Sequence, residues 1–212
     1  MYLDMKKSIA IIGEGITEKY YIESLKGLSP FSILPRELNR KASSLDALER
    51  HIKKSINDGY DEVYCIIDMD GKTSGKANIE YLKIKGKYHN ILHGKKSNGI
   101  QCEVVFIETE RCTELWFLYY FLKNSTTRKF NSYKEIEAEL RKYRPNYEKS
   151  EKYFKSVGNL HKEFTEKKIK GSLFDAVKNS KSSIVSKEKD DRNYTYCEMH
   201  ILLERLKIPT IS

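Results

Sequence analysis

The sequence predicts an α/β protein, a mainly parallel sheet of about four strands flanked by helices, followed by a mostly helical C-terminal extension. Residues 8–12 and 62–67 are short apolar runs of the kind that form strands buried on both faces. Between them Leu45, Leu48, Ile52 and Ile56 recur at spacings of three and four, the pattern of a helix with one apolar face. Strands that alternate with helices in this way build parallel sheets with helical crossovers.

Taken in order, residues 8–12 form the first strand. Thr17 is placed to cap the next helix, whose apolar face holds Tyr20, Tyr21 and Leu25. Residues 31–34 read as a second strand, stopped by Pro35. Ser44 opens the clearest helix of the first half, and Asn57-Asp58-Gly59 ends it. Residues 62–67 are the third strand and 104–107 the fourth. The Lys- and Gly-rich stretch 71–98 contains one helical segment near 78–85. Residues 115–122 are apolar on all sides and read as a buried helix. Polar helices follow over 132–143, stopped before Pro145, and over 153–168. The Ser/Lys/Asp-rich run 179–192 reads as a mobile loop. Thr195-Tyr-Cys-Glu198 has the spacing of a capping box, and Met199, Leu202, Leu203 and Leu206 stripe a last helix that Pro209 terminates.

A length of 212 residues suits one compact domain or a core with a modest appendage, here 1–122 as the catalytic core and 123–212 as a basic helical extension packed on it. No apolar run is long enough to cross a bilayer, and the N-terminus lacks a signal-peptide cleavage site, so a cytoplasmic protein without a membrane partner is expected. The four cysteines have no Cys-x-x-Cys spacing and are expected to be reduced and mostly buried. The five histidines are scattered, which gives a His-based metal site little support. The net charge of +9 is concentrated late in the chain: residues 123–192 hold 19 Lys and Arg against 11 Asp and Glu. Such a balance suits a polyanion such as nucleic acid, and it equally suits a solvated lysine-rich surface.

Carboxylates give the sharpest signal. Glu14 follows the first strand within Gly13-Glu14-Gly15, and Asp68 and Asp70 follow the third, just before Gly71. Functional groups of a parallel sheet collect beyond the carboxyl ends of its strands, and acids two apart on extended backbone point the same way. Hard carboxylate oxygens suit Mg2+ or Mn2+. Glu18, one helical turn beyond Glu14, either joins the same cluster or caps the first helix. Glu114 opens the apolar helix, where a buried carboxylate needs a metal or a basic partner. Lys96, Arg111 and Lys149 are the cations considered for binding phosphate, with no spacing that selects among them. Trp116 is read as core rather than as a platform for stacking bases.

The motif Glu14-Gly-Ile-Thr-Glu18 after one strand and Asp68-Met-Asp70 after a later one resembles the Toprim domain of topoisomerases, primases and OLD-class nucleases. More closely, those residues with Tyr21, the stretch from Cys112 to Phe121, Tyr147-Glu-Lys149 and the closing helix resemble the RloB-like family. Thr113 stands where that family usually has an aromatic residue, and Tyr120 where it usually has His. The resemblance implies a Rossmann-like sheet, metal-binding Asp68 and Asp70, and an acid/base or metal-linked Glu14. It further implies a role in bacterial anti-phage defence or restriction-associated systems, with a partner ATPase or restriction complex.

The expected function is therefore a metal-dependent nuclease that hydrolyses phosphodiester bonds in DNA or RNA, tRNA included. Two rivals stand beside it: a non-catalytic Toprim-like module that binds nucleic acid or a partner, and a nucleotidyl transferase.

Overall fold

A computed structural model describes residues 7–38, 44–94, 101–124, 129–189 and 195–210. The chain divides into two compact units, one of Met1–Ile67 with Gly71–Phe106 and one of Asp68–Asp70 with Ile107–Ser212.

Strand β1 (Ser8–Gly13) lies between β2 (Ser32–Glu37) and β3 (Glu62–Asp68) and is parallel to both. With β4 (Ile91–Gly94) and β5 (Gln101–Thr109) they form a mostly parallel five-stranded sheet in the order β2-β1-β3-β5-β4. The continuous apolar runs are explained by burial on both faces: Ile9 to Ile12 and Val63 to Ile67 are essentially inaccessible. Strand β2 runs through Pro35 rather than stopping there. It is an edge strand, where a missing N–H need not break a ladder. Strand β4, absent from the sequence expectation, is antiparallel to β5 and exposes Ile91 and Leu92.

Helix α1 (Ile16–Leu25) follows β1 and buries Tyr21, Ile22 and Leu25. Its N-cap is Gly15, whereas Thr17 lies inside the first turn and is buried. Helix α2 (Ser44–Asn57) buries Leu45, Leu48, Ile52 and Ile56 as the periodicity predicts. Past its end Gly59 takes φ +88°, a left-handed conformation suited to glycine. Helix α3 (Gly75–Tyr88) buries Tyr81, Ile84 and Tyr88.

The second unit is helical. At its heart α4 (Glu114–Tyr119) is buried on every side, Trp116 included. It packs against α5 (Tyr133–Arg141) and α8 (Leu173–Lys189), and the unit also holds α6 (Glu151–Val157), α7 (Leu160–Thr165) and α9 (Met199–Arg205). The single helix expected over 153–168 is two, separated by Gly158 at φ +72° and restarted by an Asn159 side-chain cap. The loop expected over 179–192 is also corrected: residues to Lys189 belong to α8, and 190–194 lie outside the described residues. From Asn179 onward the buried residues of α8 are Asn179, Ser180 and Ser183, all polar, which hides this stretch from a search for apolar periodicity. Asn179 donates to the carbonyls of Tyr119 and Leu122, and Ser180 donates to that of Cys197.

Thr195 and Glu198 do not form the expected capping box. Thr195 Oγ1 accepts the Phe130 N–H and Glu198 Oε2 accepts the Glu108 N–H, so both side chains serve tertiary contacts. Arg144, unremarked in the sequence, is buried and donates to the carbonyls of Tyr143, Glu163, Phe164 and Ile169. All four cysteines are free and buried, and burial pushes the Cys197 thiol up to about 12. No helix among the described residues is long and apolar enough to cross a membrane.

Candidate functional site

In the first unit the turn from β1 into α1 is shaped by Glu18. Its side chain folds back over the turn, and Oε2 accepts the Gly15 N–H at 2.8 Å. A Cβ on Gly13 would lie 2.4 Å from Glu18 Cβ, so only glycine fits there. Glu18 thus caps its helix, one of the two roles its position allowed. Its other oxygen is buried without a hydrogen-bond partner, in a residue only 2% exposed. An ionised carboxylate oxygen without a donor is costly to bury, and a bound cation is one partner that would satisfy it.

Glu14 projects from the same turn. Its Oε1 and Oε2 lie 3.0 and 3.1 Å from Lys72 Nζ. Lys72 is the more buried member of this pair, with 9% of its side chain exposed against 20% for Glu14. Lys72 is not among the candidate residues that the sequence singles out. The available signal was its place directly after Asp68-Met-Asp-Gly71, where Gly71 turns the chain at φ +70°.

In the second unit Asp68 Oδ1 accepts the Thr113 hydroxyl at 3.2 Å. Thr113 therefore supplies Asp68 with a side-chain donor. Asp70 is the most exposed of these acids, at 69% of its side chain, and it faces Arg111 NH1 at 3.4 Å. Arg111 is itself fixed: Nε donates to the Phe130 carbonyl, and φ is +71°, a left-handed value uncommon for a side-chain-bearing residue.

Glu114 has no exposed surface. Its Oε1 accepts the Tyr147 hydroxyl at 2.9 Å, and Lys149 Nζ stands 3.1 Å away. Burial, and next the charge of Glu114, push the Tyr147 hydroxyl well above its ordinary pKa and so keep it a donor. Burial raises the Cys112 thiol in the same way, with Glu114 and Asp68 adding to the effect. Tyr120 places its hydroxyl 3.3 Å from His161 Nδ1.

The structure thus pairs Glu14 with Lys72, Asp70 with Arg111, and Glu114 with Lys149, while Glu18 keeps one buried oxygen without a hydrogen bond. Among the described residues no three or more His, Cys, Asp or Glu side chains are grouped so as to hold a metal ion. Lys96 lies outside the described residues.

These features define an α/β protein with acidic residues at strand ends. The chain matches the family of RloB-like proteins over residues 9–206, and it belongs to that family. No curated protein and no solved structure matches it.

Proposed function

We propose that the protein is a nuclease that hydrolyses phosphodiester bonds of nucleic acid with a divalent ion, Mg2+ or Mn2+. The observation that carries this reading is the buried Glu18 oxygen without a hydrogen-bond donor, in the same turn as Glu14. Membership of the RloB-like family and the Toprim-like order of Glu14, Glu18, Asp68 and Asp70 support it.

On the Toprim-like order of the sequence, Glu14, Glu18, Asp68 and Asp70 are the proposed ligands, a set that the described side chains do not by themselves group around an ion. A bound divalent ion supplies Lewis acidity toward a phosphoryl oxygen and makes a neighbouring water more acidic. Glu14, which reaches solvent, is the group proposed to take the proton from the attacking water. Lysines of the second unit, such as Lys152, Lys155, Lys168, Lys170 and Lys178, are exposed and would draw in the nucleic-acid backbone. DNA and RNA, tRNA included, both suit this chemistry. The setting proposed is bacterial defence in the cytoplasm, with an ATPase or restriction complex as partner.

The test is to incubate the protein with DNA and RNA panels in Mg2+ or Mn2+, beside Glu18→Gln, Glu14→Gln and Asp68→Asn. Cleavage by the wild type that each variant loses is expected. Cleavage that persists unchanged in all three sinks this active site.

A second reading, a non-catalytic binding module, draws on the pairing of Glu14, Asp70 and Glu114 with cations of the chain itself. It predicts nucleic-acid binding that weakens with salt and is indifferent to neutralising the acids.

A further inference from the structure

The Lys72 ammonium covers Glu14 from a position 3.0 and 3.1 Å from its two oxygens. A divalent ion bound to either oxygen would stand next to that ammonium. An ammonium and a divalent ion compete for the same carboxylate, because like charges at such separation repel in a partly buried site. Lys72 is nevertheless rooted in a buried position, where its charge needs an anion. A lysine side chain is a flexible four-carbon stem bearing three rotatable donors, so it can leave one anion for another without moving the backbone.

We propose that Lys72 is an exchangeable counter-ion: it holds Glu14 while no divalent ion is bound, releases it when one binds, and passes its ammonium to a phosphate oxygen of the nucleic acid. The proposal rests on the metal-dependent reading of Glu14. It makes Lys72 a positioning residue for that acid and a phosphate contact in the loaded state. Metal and nucleic acid then bind with positive coupling, because the phosphate relieves the lysine that the metal displaces.

The experiment is direct titration with Mn2+, following the free-ion signal by electron paramagnetic resonance, with and without an oligonucleotide bearing phosphorothioate linkages that resist cleavage. Wild type is compared with Lys72→Met, Lys72→Arg and Glu14→Gln, each first shown to be folded by circular dichroism. Without oligonucleotide, Lys72→Met should bind Mn2+ about fivefold more tightly than wild type, the competition expected from losing one partly exposed ion pair. Lys72→Arg keeps the charge and should stay near wild type, and Glu14→Gln should bind more weakly. Adding the oligonucleotide should tighten Mn2+ binding in wild type and do so less in Lys72→Met.

If Lys72→Met binds Mn2+ no more tightly than wild type while Glu14→Gln binds it more weakly, the exchange is wrong and Glu14 remains a metal ligand. If Glu14→Gln binds Mn2+ as wild type does, both the exchange and the metal reading of Glu14 fall. A merely structural lysine would lower the melting temperature in Lys72→Met without raising Mn2+ affinity, which also overturns the proposal.

Discussion

Glu114 and Lys149 form an ion pair in which Nζ stands 3.1 Å from Oε1, the acid wholly buried and a third of the lysine side chain exposed. The Tyr147 hydroxyl completes the arrangement from the same chain segment. A carboxylate at the start of an apolar helix demands such partners, since burial of an uncompensated charge would cost more than the helix gains.

Lys149→Met should therefore destabilise the fold by about 2–3 kcal/mol, less than for a fully buried pair because Lys149 reaches solvent. Tyr147→Phe should cost about 1–2 kcal/mol through the lost hydrogen bond. Urea unfolding checks both. Adding Glu114→Gln to Lys149→Met should recover part of the loss, and a purely additive double variant would refute the coupling.

Arg144→Lys should cost about 2–4 kcal/mol despite keeping the charge. The planar guanidinium donates to four different carbonyls and lies 4.6 Å from the centre of the Phe121 ring, a set an ammonium cannot reproduce. A change in the urea midpoint near zero would contradict this.

Gly13→Ala should destabilise the turn by about 1–3 kcal/mol, since the new methyl meets the Glu18 stem and overpacks a closed site. Gly15→Ala is the matched comparison. Its Cβ would lie 3.5 Å from Glu18 Oε2, an ordinary contact, and it should be the milder of the two in a thermal melt.

Acid should weaken the fold through His161 and His200. Burial lowers the pKa of both below the ordinary 6.5. The unfolded chain therefore takes up protons before the folded one does. The stability tied to neutral histidine is intact above 6.5 and is lost as pH falls through that value. Urea midpoints should drop between pH 7.5 and 5.5, and the drop should shrink in a His161→Gln, His200→Gln double variant.

What could be read beforehand follows from how each element is stabilised. Strands β1 and β3 were legible because both faces are buried, which leaves an unbroken apolar signature. Helix α2 was legible because its burial is one-sided and periodic. Strand β4 offers only the exposed Ile91 and Leu92, and its partner β5 supplies most of the apolar pattern. At the turn, the acids were visible as a motif, but their counter-ions were not. Nothing in spacing links Glu14 to Lys72, 58 positions apart, or Glu114 to Lys149, because ion pairs across a fold carry no local period.

Helix α8 is fastened partly through Asn179, Ser180 and Ser183, all buried. Bonds of this kind are directional, whereas apolar contact tolerates sliding. Shifting α8 by a single residue would take Asn179 away from the Tyr119 and Leu122 carbonyls and leave buried groups without partners. The helix is therefore keyed to one register. The same keying exposes it to competition from solvent, since water and urea offer the bonds that Asn179, Ser180 and Ser183 make.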